Sequence, residues 1–392
     1  MALHLHLAWL DAVARSSDAF ADGPGGVDAA AQGRLLEALA GLRAYWHHPR
    51  REAAAAGSVV WQEGACRLLD LGQPGGQPVL VVPSLINRAR VLDLAEDRSL
   101  VRHLAQAGFR PLLLDWGEPG ARERGYAVGD YVRGPAAGAL RAAARLGGPP
   151  PVLLGYCMGG LLALALATLR PASVAGLALL ATPWDFHAGG ERLRQILAAA
   201  CAPIIAQAAA AGLVPVESLQ AAFALLDPPA VTGKFRGLTA LEPGGERAEA
   251  FVAVEDWLQD GVPLAGPAAL EILWHWYAAN LPARGLWRPN GRPVLPERLE
   301  APFFLAIPRR DRIVPPASAE ALAARLPQAT VVRPAGGHVA MVAGSRRKEE
   351  LYKPLAAWMR RLAARPTAVS GGSRPPTIKR RTGRAARPDH PV

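Results

Sequence analysis

The chain has 392 residues, of which 51% are hydrophobic and 20% are charged. This is an ordinary globular composition, which excludes a chain disordered throughout, and the length accommodates one large α/β domain with insertions or two domains. The three cysteines, Cys66, Cys157 and Cys201, are too few and too scattered for a disulfide framework or a metal site, and they favour a reducing, cytoplasmic location.

The formal net charge of +11 is unevenly distributed along the chain. Residues 365–392 contain seven Lys and Arg residues against the single acidic Asp389, so this segment carries +6 and the rest of the chain +5. Because the segment also contains Ser-Gly-Gly and Pro-Pro and has no apolar period, we expect a disordered basic tail. We interpret it as a solvated tail, although an anionic surface is an alternative, and we expect no nucleic-acid partner.

Residues 1–56 are predicted to form an N-terminal helical segment, because apolar residues recur there at helical intervals. The first residues, MALHLHLAWLDAV, lack the basic residues that begin a signal peptide, and the acidic Asp11 interrupts the apolar stretch. We therefore expect no secretory signal. The apolar spacing runs through Leu35, Leu36, Leu39, Leu42 and Trp46.

Strand and helix patterns alternate through residues 57–184, which we interpret as the first part of an α/β core. The alternation predicts a parallel sheet with crossover helices, since short apolar runs are typical of strands buried on both faces. The predicted strands are a pair in VVWQEGACRLLDLG, then PVLVVPS, RPLLLDW, PVLLGY and VAGLALLAT, with helices over 99–107 and 131–146.

Residues 185–295 interrupt this alternation, since they are rich in Ala and Trp and largely helical in pattern. The core then resumes over residues 296–364 with strands PFFLAIP and ATVVRP and helices near 317–326 and 349–364. An insertion in this position is typical of a cap over the carboxyl ends of the strands, where open α/β sheets hold their ligands.

Within the predicted cap, residues 196–216 carry no charge. Pro203 and Gln207 interrupt the stretch, and its many alanines make it weakly hydrophobic for a membrane span. We interpret it as a buried pair of lid helices, with a surface that docks on a hydrophobic body as the alternative.

The strand PVLLGY leads through Cys157 directly into a helix-forming run, as G-x-C-x-G. This is the pattern of a nucleophile elbow, in which Gly155 and Gly159 let strand and helix pack closely around a strained nucleophile. The helix N-terminus would favour the thiolate form of the cysteine. A buried cysteine in a packing site rich in Gly and Ala is the alternative that the motif alone leaves open.

An activated thiol needs a base, and the base needs an orienting carboxylate. In hydrolases of the α/β type these follow the nucleophile in the order acid, then histidine. Asp311 directly follows a predicted core strand, and His338 lies in a Gly-rich turn after the next strand. The alternatives are an aspartate that only pairs with Arg309 or Arg312, and a histidine at the surface.

The predicted oxyanion hole uses two backbone N–H groups. One belongs to Met158, directly after the cysteine, and the other to the loop Ser84–Ile86, at Leu85. Backbone donors leave no trace in a sequence, so this expectation follows from the fold alone.

Beyond these residues, the chain resembles the polyhydroxyalkanoate synthase family over roughly residues 57–360. The segments that carry the resemblance are VVWQEGACRLLDL, PSLINRARVLDLAEDRSLVRHLAQAGF, Asp115-Trp116, GDYV, LLGYCMGG, ATPWDF, DWLQDGVPLAGP, HWYAAN, DRIVP and GGHVA. The chain departs from the family pattern at Arg312 and Pro316, where the family usually has His and Trp.

The resemblance implies an α/β-hydrolase fold, with a mostly parallel sheet flanked by helices and a helical cap. It implies that Cys157 carries the acyl group, that His338 is the base and that Asp311 is the third member. The substrate is then a 3-hydroxyacyl-CoA thioester, with no separate cofactor and no metal. Short synthases work with a second subunit, so we expect a second synthase subunit or a homodimer as the partner.

The sequence therefore predicts an acyltransferase that polymerises (R)-3-hydroxyacyl-CoA into polyhydroxyalkanoate and releases CoA. The alternative on the same scaffold is an ester or thioester hydrolase, an intracellular polyester depolymerase or a thioesterase. A third interpretation is a non-enzymatic protein that binds a polyester granule through residues 196–216 and the basic tail. The expected location is the cytoplasm, with the surface of a polyester granule as a further candidate.

Overall fold

The computed structural model describes residues 29–49, 57–224 and 228–364. The predicted basic tail at 365–392 and the first part of the predicted N-terminal segment lie outside the described residues.

An eight-stranded sheet runs through the centre of the described chain. Its strands are β1 (Ser58–Glu63), β2 (Cys66–Asp70), β3 (Gln77–Val82), β4 (Phe109–Asp115), β5 (Val152–Tyr156), β6 (Gly176–Leu180), β7 (Phe303–Ala306) and β8 (Thr330–Val332). They lie in the order β1-β2-β4-β3-β5-β6-β7-β8. The pairs β1–β2 and β2–β4 are antiparallel, and the remaining neighbours are parallel.

Both faces of the sheet are covered, which explains the unbroken apolar runs in its strands. Successive side chains of a strand point to opposite faces. In β3, Leu80 and Val82 therefore join one buried cluster, whereas Val79 and Val81 join another. Burying each such side chain stabilises the fold by about 1.5–3 kcal/mol.

Helices flank the sheet and build most of the segment 185–295. The α-helices are α1 (Ala29–His47), α2 (Leu100–Gln106), α3 (Val128–Tyr131), α4 (Ala137–Arg145), α5 (Met158–Leu169), α6 (Gly190–Ala211), α7 (Val216–Ala224), α8 (Pro228–Leu238), α9 (Glu246–Gln259), α10 (Gly266–Glu271), α11 (Pro316–Ala324), α12 (Ala340–Ala343) and α13 (Lys353–Ala363). Wider π-helical turns span Val132–Ala136, Ile272–Ala278 and Lys348–Tyr352, and 3₁₀ turns span Ala89–Leu92, Glu123–Gly125, Pro171–Ser173 and Pro296–Arg298.

Within the described residues, two short antiparallel strand pairs lie outside the central sheet. They join Asp93–Ala95 to Arg98–Ser99, and Leu213–Val214 to Leu264–Ala265. The second pair lies within the helical segment 185–295.

The predicted alternation of strands and helices is confirmed, as is the largely helical character of residues 185–295. The division of the chain into separate units at residues 56, 184, 295 and 364 stays a prediction. The predicted helix over 131–146 begins earlier, at Val128, and widens at Val132–Ala136 because Pro135 cannot donate a backbone hydrogen bond.

The predicted pair of lid helices in residues 196–216 is wrong. A single helix, α6, continues through Pro203 to Ala211. Only part of its surface is covered, since Ile204 and Ala208 are buried while Ala209 and Ala210 are exposed. The packing of the buried side of α6 therefore stabilises the helix by more than it loses with the backbone hydrogen bond that Pro203 cannot donate. Among the described helices, none is long and apolar enough to cross a membrane.

The helical spacing of the N-terminal segment is confirmed in part. Leu39 and Leu42 of α1 are buried, and Leu42 packs in one cluster with Phe235 of α8. Leu36 and Trp46, which belong to the same apolar series, are instead exposed. The buried stripe of the helix is thus narrower than the sequence pattern predicts.

Candidate active site

Cys157 lies at the sharp turn between the end of β5 and the start of α5. Its backbone has φ +56° and ψ −129°, a conformation that residues other than glycine rarely adopt. Hydrogen bonds on both sides fix the turn: the Cys157 N–H donates to the Leu180 carbonyl over 2.8 Å, and the Gly160 N–H donates to the Cys157 carbonyl over 3.0 Å. The side chain is thereby presented at the carboxyl edge of the sheet under backbone strain.

The glycines on either side of Cys157 have no room for a side chain. A Cβ at Gly159 would lie 2.1 Å from the Val82 carbonyl oxygen and 2.5 Å from that of Pro83. A Cβ at Gly155 would lie 2.4 Å from the Gly160 Cα. The close approach of strand and helix that the G-x-C-x-G pattern predicts is therefore present.

Asp311 lies in the loop after β7, with its side chain buried. One carboxylate oxygen, Oδ1, accepts hydrogen bonds of 2.9 Å from the backbone N–H groups of Ile313 and Val314. The other, Oδ2, lies 2.7 Å from Nδ1 of His338. The carboxylate is thus bonded to His338, so it does not pair only with an arginine.

His338 lies in the Gly-rich loop after β8 and is only 7% exposed, so it is not a surface histidine. Its loop is tied to the loop of Asp311, since the Arg310 N–H donates to the Gly336 carbonyl over 3.2 Å. Tyr156 contacts His338 directly. Its hydroxyl donates to the His338 carbonyl over 3.3 Å, and the two ring centroids are 5.1 Å apart.

The electrostatics of His338 link it to Cys157 as well as to Asp311. Burial alone lowers the pKa of His338, but the negative charge of the Cys157 sulfur and hydrogen bonds to Asp311 and Cys157 outweigh burial and raise the pKa to about 10. The structure therefore brings together the three side chains that the sequence singles out. Their catalytic roles stay a prediction.

The other two cysteines lie in different surroundings. Cys66 is fully buried and its thiol donates to the Trp116 carbonyl over 3.3 Å. Burial, with help from Glu123, raises the pKa of the Cys66 thiol to about 12. Burial also raises the pKa of Cys201 on α6. Burial thus disfavours the thiolate form of both cysteines.

The two N–H groups of the predicted oxyanion hole are unpaired in the described chain. Neither Leu85 nor Met158 donates its backbone N–H to a protein acceptor there. Met158 is the first residue of α5, where a helix has no acceptor for its N–H groups. The loop of Leu85 is held close to the elbow, because Trp116 Nε1 donates to the Pro83 carbonyl over 3.1 Å and Pro83 abuts Gly159.

Sequence reasoning missed the contact of Tyr156 with His338. The elbow motif leaves the residue before the nucleophile open, so only the spatial position of the histidine loop reveals the contact. It also missed Tyr277 in the helical segment, where burial and then the negative charge of Cys157 raise the pKa of the hydroxyl. The only signal for that residue in the sequence is the segment HWYAAN.

The chain is similar to known proteins over most of its length. A family model described as alpha/beta hydrolase fold matches residues 77–199. The chain is 32% identical to a poly(3-hydroxyalkanoate) polymerase subunit PhaC of Haloferax mediterranei, covering 76% of this chain and 63% of that protein. It is 30% identical to the PhaC subunit of Synechocystis sp., covering 72% of this chain and 77% of that protein.

The match to a third PhaC subunit, from Haloarcula marismortui, is 28% identical and covers 60% of that protein. The chain therefore spans less than two thirds of the length of the two haloarchaeal relatives.

Solved structures confirm the predicted fold class. A monoacylglycerol lipase of Paleococcus ferrophilus matches with a TM-score of 0.50 and 18% identity, over 76% of this chain and 99% of that one. A putative non-heme bromoperoxidase BpoC of Mycobacterium tuberculosis matches with a TM-score of 0.50 and 17% identity, over 81% and 98%. At these identities the likeness shows the α/β-hydrolase fold alone.

We expect Gly159→Ala to destabilise the protein by about 1–3 kcal/mol or more, because the new methyl group would clash with the backbone of Val82 and Pro83. Urea unfolding measures the loss. The control is Gly237→Ala, an exposed position in α8 with open space around it, which should be neutral or slightly stabilising. Equal stability of the two variants would show that the elbow is not tightly packed.

Cys157 should be the first of the three described cysteines to react with iodoacetamide at pH 7. His338 places a positive charge beside Cys157, whereas burial raises the pKa of the Cys66 and Cys201 thiols. Mass spectrometry of peptides from short incubations gives the order. His338→Gln should slow the reaction at Cys157 by about tenfold and leave Cys201 unchanged. Modification of Cys201 before Cys157 would contradict this view of the site.

The stability of the protein should depend on pH through His338. Its folded pKa, about 10, lies above the ordinary value of 6.5, so its contribution is complete below pH 6.5 and is lost as the pH rises through about 10. The difference in unfolding free energy between the wild type and His338→Gln should therefore shrink over this range. In a Cys157→Ala background the difference should change less, since one source of the shift is gone. A difference in unfolding free energy that does not depend on pH would refute the raised pKa of His338 in the folded protein.

Proposed function

Because this chain belongs to the poly(3-hydroxyalkanoate) polymerase family, we propose that it is an acyltransferase that polymerises (R)-3-hydroxyacyl groups from CoA thioesters, with Cys157 as the covalent carrier. The observation that carries the proposal is the continuous arrangement of Asp311, His338 and Cys157 at the carboxyl edge of the sheet. A carboxylate, an imidazole and a thiol in this order are the parts of a nucleophilic acyl-transfer site.

Asp311 sets the orientation of the histidine. With Oδ1 fixed by two backbone N–H groups, Oδ2 accepts a hydrogen bond from the Nδ1–H group of His338. Nε2 is then left for the Cys157 proton. Proton transfer gives a thiolate beside an imidazolium, and the raised pKa of His338 supports this charged pair.

In the first step the Cys157 thiolate attacks the carbonyl carbon of the CoA thioester. A new carbon–sulfur bond forms, the bond to the CoA sulfur breaks, and the departing sulfur takes the proton from His338. One thioester replaces another, so the acyl group keeps its activation. A serine in this position would convert it to an oxoester and lose driving force for chain growth.

The charge that develops on the carbonyl oxygen needs donors in this step. We assign this role to the backbone N–H groups of Met158 and Leu85, which have no protein acceptor in the described chain. Removing one donor from an oxyanion hole of this kind costs about 2.7–4 kcal/mol of transition-state stabilisation.

In the second step the 3-hydroxyl of another hydroxyacyl unit attacks the acyl group on Cys157. Its proton passes to His338, directly or with help from Asp311. A carbon–oxygen ester bond forms, the carbon–sulfur bond to Cys157 breaks, and the thiolate is regenerated. The helical segment 185–295 would exclude water, since hydrolysis of the acyl-enzyme competes with elongation.

The second candidate function is hydrolysis of an ester or thioester. It is favoured by the same three side chains and differs only in that water accepts the acyl group.

For partners, we propose a second synthase subunit or a second copy of the chain, in keeping with the word subunit in the relatives' names. We further propose work at the surface of a polyester granule in the cytoplasm.

Incubation with 3-hydroxybutyryl-CoA separates these functions. Polymer together with free CoA supports the synthase, and the monomeric acid together with CoA supports the hydrolase. Absence of CoA release from a folded protein, alone and with a synthase subunit added, would rule out both. Cys157→Ala should abolish CoA release. It should also abolish the mass increase that the acyl group gives to the peptide containing residue 157. Cys66→Ala and Cys201→Ala should retain both.

A further inference from the structure

The loop after β3, which carries Leu85, is fixed from the core by a tryptophan. Trp116 follows β4 and is buried, and its Nε1 donates to the Pro83 carbonyl over 3.1 Å. Leu85 itself is buried in one cluster with Met158, and Cys157 packs against that cluster. The first end of the loop is therefore held beside the elbow.

A second tryptophan fixes the other end of the loop, and it belongs to the helical segment 185–295. Trp257 of α9 is buried, and its Nε1 donates to the Arg88 carbonyl over 2.8 Å. Two indole N–H groups thus bond to backbone carbonyls on either side of Leu85. Because a buried indole N–H needs a partner, both bonds resist movement of the loop.

The chain that follows Trp257 adds further bonds to the loop. Asn87 and Gly261 form an isolated antiparallel bridge, and the Val262 N–H donates to the Ile86 carbonyl over 3.5 Å. The end of the loop therefore runs against the helical segment backbone to backbone.

The side chain of Arg88 joins the same two parts of the chain to the loop after β4. Its Nε donates to Asp260 over 2.8 Å, and its Nη2 donates to Glu118 over 2.6 Å. All three side chains are partly exposed, so these ion pairs contribute little to the free energy of folding. Their effect is to orient the end of the loop.

The unpaired donor lies between these fixed ends. The Ile86 N–H donates to the Ser84 hydroxyl over 3.3 Å, whereas the Leu85 N–H has no protein acceptor among the described residues. An N–H group that is held in place before charge develops needs no rearrangement to stabilise that charge. The bonds at Pro83 and Arg88 therefore determine where this donor lies.

From these contacts we infer that Trp257 is a positioning residue for acyl transfer, which sets the Leu85 N–H of the oxyanion hole from the helical segment. The inference rests on the proposed function, since it requires acyl transfer at Cys157 with Leu85 as a donor. The helical segment then does more than exclude water, because a displacement of Trp257 would move a donor of the site.

The test compares two reactions of Cys157 that differ in their need for an oxyanion hole. Acylation by 3-hydroxybutyryl-CoA, followed as CoA release in a single turnover, develops charge on a carbonyl oxygen. Alkylation by iodoacetamide displaces iodide from a saturated carbon and develops no such charge. Trp257→Phe, which keeps an aromatic ring and loses the N–H, should slow acylation by about tenfold and leave alkylation unchanged.

The matched control is Trp358→Phe. Trp358 of α13 is as buried as Trp257 and belongs to the same buried cluster, but it packs beside Gly176, at the amino end of β6. This variant should leave both reactions of Cys157 at the wild-type rate.

Equal slowing of acylation and alkylation in Trp257→Phe, or an unchanged rate of acylation, would overturn the role of Trp257 and leave the proposed function intact. Failure of 3-hydroxybutyryl-CoA to acylate Cys157 in the wild type would instead overturn the proposed function and this inference with it.

Arg88→Met provides the test if Trp257→Phe does not fold, because the Arg88 side chain is partly exposed. It removes the side-chain bonds at the same end of the loop and should slow acylation alone. Its control is Arg325→Met, since Arg325 is equally exposed and bonds instead to Glu297 and the Ala283 carbonyl. Equal rates of acylation in Arg88→Met and Arg325→Met would then overturn the inference.

Discussion

The contact of the Gly159 backbone with the carbonyl groups of Val82 and Pro83 is the constraint on which the site depends. It forces β5 to turn into α5 within one residue, and that residue is Cys157, at positive φ. The same contact draws the loop after β3 against the start of α5. The positions of the Cys157 thiol and of the backbone donors therefore have one cause, because a single close approach places the thiol and brings unpaired N–H groups beside it.

Much of this arrangement could be predicted from the sequence, because it is encoded locally. The apolar runs fix the strands, and the order of Cys157, Asp311 and His338 after strand ends identifies the side chains that meet. The course of α6 through Pro203 could not be predicted, since it depends on what Ile204 and Ala208 pack against. The same holds for the contact of Tyr156 with His338, which joins parts of the chain far apart in sequence.

The charge on Cys157 also offers an account of how one histidine serves two opposite steps. In the proposed reaction, His338 gives up a proton when CoA leaves and accepts one when the next hydroxyl attacks. Its pKa is raised by the Cys157 sulfur as well as by Asp311. Once Cys157 carries an acyl group, its negative charge is gone, and one cause of the raised pKa of His338 is removed. Acylation itself would then convert His338 from the acid of the first step to the base of the second, with no movement of the fold.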